Sequence, residues 1–364
     1  MPLPEATLWD LPPLRLDHLR RLTDDTGLMQ HALYCTPDPH HGYTTDDNAR
    51  ALLLMARLIE SEGPEQYQEL AFRYLAFLRY AQRDDGAFHN FLAFDRRWLD
   101  ERGSQDCQGR AAAALGTTLG RALLPGLADS AAVLLDRAMP VVERLTAPRA
   151  EAYAIMGLCW AVQAGYQVER CSAQVLRMAS HLIGLYRATA DADWRWFENI
   201  LTYSNASLPE ALMHAFVVSQ AEEHLAIALE SLEFLCEVCF VDGMLDLVGQ
   251  NGWFPRGGKK AAFDQQPIDA QAMVEALVAA YELTGEERYQ KLAFEAFTWF
   301  LGNNRLGQPL YDPTTAGCFD GLQEDRVNGN QGAESTLAFL LARLALEQSV
   351  LPRVPSLVAA GACY

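Results

Sequence analysis

Positive charge is scarce in this chain: 29 Lys and Arg stand against 47 Asp and Glu, a formal net charge of −18 over 364 residues. Nucleic-acid backbones and anionic membranes are gripped by basic faces, so neither is expected as a partner. A neutral or cationic small molecule fits that balance better. Long apolar runs are missing as well, and none approaches the roughly 18 residues that a membrane span needs. The first residues, MPLPEATLWDLPPLRLDHLRR, lack the basic start and apolar centre of a secretion signal, so a cytoplasmic address is expected. The eight cysteines (Cys35, Cys107, Cys159, Cys171, Cys236, Cys239, Cys318, Cys363) have no framework spacing and sit mostly in apolar, helix-like stretches. They read as reduced, buried thiols. The one C-x-x-C, Cys236 to Cys239 in LCEVCF, has neither a second pair nor a Gly or Pro turn, which leaves two core cysteines on a helix. HxxxH and HExxH spacings are also lacking, so no metal is expected, and nothing implies a cofactor.

Strand-like alternation is nearly absent, and apolar residues recur at helical spacing. The pattern predicts twelve helices, near 15–33, 46–61, 65–83, 106–123, 128–146, 150–164, 170–188, 206–219, 221–240, 267–284, 286–302 and 332–348. Those near 46, 106, 150, 206, 267 and 332 are rich in Ala, Leu, Met and Gly, with few charges after the first turn. Those near 65, 128, 221 and 286 carry charge along one face. Helices apolar all round are buried and one-sided ones face water, so an inner ring surrounded by an outer ring is expected. An open solenoid uses similar hairpins, but its repeats are shorter and more uniform. The expectation is therefore an all-α (α/α)6 barrel over residues 1–350 without a domain boundary, followed by a Pro-broken tail at 351–364.

Polar and aromatic residues crowd just before the inner helices, in HHGYTTDDNAR (40–50), residues 84–110, 191–212, 251–270 and 312–336. Loops entering a ring from one side converge on one mouth. Trp98, Trp194, Trp196, Trp253, Tyr43, Phe88 and Tyr203 bring flat apolar faces there. Asn48, Asn90, Asn205, Gln108, Gln265, Gln266, Asn330 and Gln331 bring neutral hydrogen-bonding groups, with carboxylates among them. Stacking faces, amides and carboxylates together suit a polyhydroxylated ring, so a small carbohydrate is the expected substrate.

The layout, with carboxylates at inner-helix starts over residues 15–348, resembles the (α/α)6 toroid (six-hairpin) glycosidase superfamily. More narrowly, GYTTDDNAR, FDQQPIDA and NQGAESTLAFL resemble strings in bacterial glycosidase-like or glycosyltransferase-associated proteins. The same toroid supports hydrolases, phosphorylases, lyases and epimerases, so the resemblance carries no catalytic assignment.

Chemistry must supply the roles. Glycoside cleavage needs a protonated carboxyl for the leaving oxygen and a second carboxylate as base or nucleophile. Asp46, Asp47, Asp106, Glu198, Asp264 and Glu334 qualify by position, and the catalytic pair is expected among Asp47, Asp106, Glu198 and Glu334. Helix capping competes as an explanation for Asp46 and Asp47, capping plus a bridge to Arg110 for Asp106, and the helix dipole for Glu334. Glu198 follows Trp194 and Trp196, surroundings that raise a carboxyl pKa. Asp264 is expected to bind sugar hydroxyls, and Arg50 stands one turn into its helix beside the Asp pair. His41 and His89 in mouth loops offer a rival, a sugar epimerase or isomerase moving protons through imidazoles, whereas His181 and His214 sit within helices. Arg256, Lys259 and Lys260 around two glycines read either as an exposed turn or as an anion cradle that would favour phosphorolysis. The leading expectation is an inverting glycoside hydrolase on short oligosaccharides. A non-catalytic glycan-binding protein is the remaining alternative.

Overall fold

The computed structural model describes residues 11–122 and 124–350; the expected tail at 351–364 and Cys363 lie outside them. In chain order the helices are α1 (Asp17–Leu22), α2 (Thr45–Glu62), α3 (Gln68–Ala81), α4 (Gln105–Arg121), α5 (Pro125–Val142), α6 (Pro148–Gln163), α7 (Val168–Thr189), α8 (Ser207–Ser219), α9 (Glu222–Cys239), α10 (Pro267–Thr284), α11 (Glu287–Thr298) and α12 (Ala333–Val350). The even-numbered helices pack in sequence, α2 on α4, α4 on α6, and so round to α12, which returns to α2. That last contact closes the ring and excludes an open solenoid. Each inner helix is backed by an outer one: α2 by α3, α4 by α5, α6 by α7, α8 by α9, α10 by α11, and α12 by α1. The fold is an (α/α)6 toroid.

Sequence explains the two layers. In α10 nearly every side chain from Pro267 to Ala280 is buried, whereas α7 buries only Cys171, Val175, Met178, Ala179, Leu182, Ile183 and Tyr186, the one-sided stripe of a helix facing water. The tightest inner contact, α4 on α6, depends on missing side chains. A Cβ on Gly116 would lie 2.1 Å from the Gly157 carbonyl oxygen, and one on Gly157 would lie 2.5 Å from the Ala113 Cα. Backbones this close admit only glycine.

The first helix is much shorter than the expected 15–33. Asp24 accepts the N–H groups of Thr26 and Gly27 at 2.8 and 3.2 Å, an Asx turn that outcompetes a further helical turn. Residues beyond it form a short hairpin, Ala32–Leu33 against Thr36–Pro37. Five further two-residue pairs occur among the described residues, and they brace the loops that lead into the inner helices. Gly321–Leu322 pairs with Val327–Asn328, and Ile200–Leu201 pairs with Phe254–Pro255.

Candidate active site

The N-terminal ends of the inner helices and their lead-in loops enclose a two-lobed cleft. One lobe, about 340 Å³, lies beside the 321–328 hairpin, and the other, about 500 Å³, lies beside Tyr203 and Trp253. Asp46, Arg50, Asn90, Phe91, Gln250, Gln266 and Glu334 line both.

Capping does not occupy the aspartates at the start of α2, because Thr44 does that work. Its hydroxyl accepts the Asp47 N–H at 3.1 Å and donates to Asp47 Oδ2 at 2.6 Å. Asp47 is then closed off by Arg50, whose Nη1 lies 2.8 Å from Asp47 Oδ1, while Arg50 Nη2 lies 2.6 Å from Glu334 Oε2. One buried guanidinium therefore holds carboxylates from the first and last inner helices. Glu334 remains about half exposed, at 47%, but Asp47 only 4%. Burial pushes the Asp47 carboxyl up to about 6 against the pull of Arg50.

Asp46 faces the cleft. It exchanges two hydrogen bonds with Asn90: its N–H donates to Asn90 Oδ1 at 3.2 Å, and Asn90 Nδ2 donates to its Oδ2 at 3.1 Å. Its Oδ1 is buried and has no partner. Desolvation raises its pKa, opposed by Arg110 and Arg50. Burial of this kind favours the protonated form of the carboxyl and leaves one oxygen without a protein partner at the cleft wall. Asp106 also lines the cleft and accepts the Tyr203 hydroxyl at 2.5 Å; Ser104, not Asp106, caps α4. Arg110 lies over the Tyr153 ring and donates to its hydroxyl at 2.7 Å, so it makes no bridge to Asp106. Asp264, Gln266, Tyr203 and Trp253 complete the expected residues brought together here.

Other expected residues are turned to structural work. Glu198 is held by Arg149 at 2.8 Å, and Arg149 also grips the Tyr203 carbonyl and Asn205 Oδ1. Glu198 lines neither lobe, and its tryptophan neighbours are interior: Trp196 is fully buried and Trp194 nearly so. Tyr43 is buried and donates to Asp24. Asn48 clamps the backbone at Leu28 and Thr44, Gln265 joins Asp246 to Trp299, and Gln331 bonds Thr315 and Asp312. Asn330 accepts the Tyr34 N–H. These four amides anchor the loops around the helix starts instead of reaching a ligand.

The two proposed imidazoles do not meet. His41 is exposed beside Asp38, and His89 bonds the Asp100 carbonyl and stacks on Trp98 at 4.7 Å. Arg256 is tied to Asp191 and to the Thr189 carbonyl, away from the cleft, and Lys260 is held by Asp246. The anion cradle is therefore not formed. Sequence reasoning passed over His31, Gln30, Gln250 and Gln323, which line the cleft. The overlong first helix hid the first two; Gln323 fell inside the 312–336 segment without being singled out, and Gln250 stands one residue before the 251–270 segment.

Beneath the cleft the ring encloses an axial cavity of about 140 Å³. Glu210 and His214 line it, one turn apart on α8. Burial, with Glu275 adding to it, raises Glu210 far above the usual carboxylate range, and burial lowers His214 to about 4. No group of His, Cys, Asp and Glu among the described residues is arranged to hold a metal ion, and no helix among them is long and apolar enough to cross a membrane.

No family model matches the chain, and no curated protein matches it significantly. Solved structures do share its fold. A D-mannose isomerase superposes with a TM-score of 0.70 at 14% identity over 92% of this chain and 95% of its own. Cellobiose 2-epimerase from Bacillus thermoamylovorans gives 0.71 at 12%, over 92% and 95%. An α-1,6-mannanase of Salegentibacter, inactivated by replacing two successive aspartates and bound to α-1,6-mannotetraose, gives 0.64 at 10%, over 92% and 97%.

Proposed function

We propose that this protein is a carbohydrate-active enzyme that hydrolyses glycosides of mannose, with Asp46 as general acid and Glu334 as the carboxylate that activates water. The observation that carries the reading is Asp46 itself, a carboxyl with raised pKa and an unpartnered oxygen at the point where both lobes meet. In this reaction the Asp46 proton passes to the leaving oxygen as the C1–O bond breaks. Glu334 takes a proton from water, whose oxygen bonds to C1. Arg50 and Asp47 are positioning residues. Arg50 fixes Glu334, and Asp47 neutralises and orients Arg50. Two of the structural neighbours act on mannose or its α-1,6 polymer by their names, and one was inactivated at successive aspartates, the pattern of Asp46 and Asp47 here.

A second reading, epimerisation or isomerisation of a free sugar, is supported by the somewhat higher TM-scores of the isomerase and epimerase. In that reading His31, not His41 or His89, is the histidine at the cleft. One experiment separates the two: proton NMR of the enzyme with α-1,6-mannobiose and, separately, with D-mannose in D2O. New reducing ends from the disaccharide, lost in Asp46→Asn and Glu334→Gln, support hydrolysis. Deuterium at C2 of mannose with an intact disaccharide supports the second reading and overturns the first.

A further inference from the structure

The two lobes differ in what their polar groups are free to do. Beside Tyr203 and Trp253 most are already taken by protein partners. Asp106 accepts the Tyr203 hydroxyl, Arg110 donates to Tyr153, Ser104 caps α4, and Asp100 accepts the N–H groups of Asn90 and Phe91. What that lobe offers is aromatic surface. The two rings lie 6.4 Å apart, with Arg149 packed 4.8 Å from the Tyr203 centroid. Its own rim is open, with Arg102 and Ser104 exposed.

The hairpin lobe is the reverse. Gln30 and Asp264 line it, and neither side chain has a hydrogen-bond partner among the described residues. Its wall is fixed. Gln265 and Leu322 exchange backbone hydrogen bonds at 3.0 and 2.9 Å, which ties the 321–328 hairpin to the start of α10, and Asp320 accepts from Gly332 N–H and the Ser335 hydroxyl at 2.6 Å each. Both side chains are half-exposed, and a sugar that displaces their water must replace those hydrogen bonds with its own hydroxyls, so such a wall selects one ring over another. Aromatic faces accept many rings through their C–H surfaces.

We propose that the cleft divides at Asp46 and Glu334 into two unequal sugar sites. The hairpin lobe holds the terminal mannose through Gln30 and Asp264, and the Tyr203–Trp253 lobe stacks the leaving group. The enzyme therefore removes single sugars from chain ends. This assignment rests on the hydrolase reading above and adds the direction in which the substrate lies.

The test is calorimetric binding of D-mannose and of α-1,6-mannobiose to Glu334→Gln enzyme, in which turnover is blocked. Adding Trp253→Ala is expected to weaken mannobiose about tenfold while leaving mannose within about twofold, and Trp253→Phe restores most of the loss. Adding Asp264→Ala is expected to weaken both sugars about tenfold. Circular dichroism checks that each variant is folded. Wild-type enzyme given α-1,6-mannotetraose should release mannose first. If Trp253→Ala weakens both sugars equally or neither, if Asp264→Ala affects only the disaccharide, or if mannobiose is the first product, the assignment is overturned while hydrolysis stands. If neither sugar binds and none is cleaved, the hydrolase reading falls and takes the assignment with it.

Discussion

Replacing Asp46 by Asn separates a catalytic acid from a structural one, because the two roles predict opposite effects on stability. Asp46 is desolvated, its Oδ1 has no partner, and its pKa is raised. An acid whose pKa is higher folded than unfolded contributes stability that is fully present below its unfolded value, near 3.9. That stability is lost as pH rises through the folded value. Asn carries no charge to desolvate, and its oxygen can still accept from Asn90. The variant should therefore match wild type in urea unfolding at pH 4 and equal or exceed it at pH 8. Each tenfold difference in proton affinity is worth about 1.4 kcal/mol. Activity should move the other way. Loss of a general acid lowers kcat about 10²–10⁴-fold on α-1,6-mannobiose, whose leaving group needs a proton. A 2,4-dinitrophenyl mannoside, whose leaving group needs none, should lose far less. Equal losses on the two substrates, or a variant less stable than wild type at pH 8, would refute the assignment of the acid.

Glu198→Gln should weaken the grip on buried Arg149 and cost about 1.5–3 kcal/mol in urea unfolding with kcat unchanged; a collapse of kcat at normal stability would return Glu198 to the reaction. His214, whose pKa falls to about 4, supports the fold above its unfolded pKa near 6.5 and withdraws that support as pH drops towards 4. His214→Gln should therefore lose about 3 kcal/mol less than wild type between pH 7.5 and 4, and identical acid profiles would show that the axial cavity hydrates the imidazole. Gly116→Ala places a methyl 2.1 Å from the Gly157 carbonyl, so destabilisation of about 3 kcal/mol is expected by thermal or urea unfolding. A neutral result would mean that α4 and α6 can separate without cost.

The helical hairpins, their inner and outer kinds, and the loops in which the cleft is built were all legible in the chain before folding. These are local properties. Apolar period sets which face of each helix is buried, and Gly, Pro and cap residues set where it stops. The same local signals placed Asp46, Asp106, Asp264 and Glu334 where they could meet. They could not rank the acids, because a carboxylate at a helix start has the same local signature whether it faces a cavity or an arginine. Arg149 comes from the first turn of α6, 49 residues away in sequence, to claim Glu198, and Arg50 reaches across 284 residues to Glu334. Pairings at such distances leave no periodicity to read. Trp196 shows the same limit from the apolar side: among polar neighbours it reads as a platform, yet packing makes it core. Ring closure alone decided which side chains look inward, and with that which carboxyl loses its water and is left with an oxygen that no protein group satisfies.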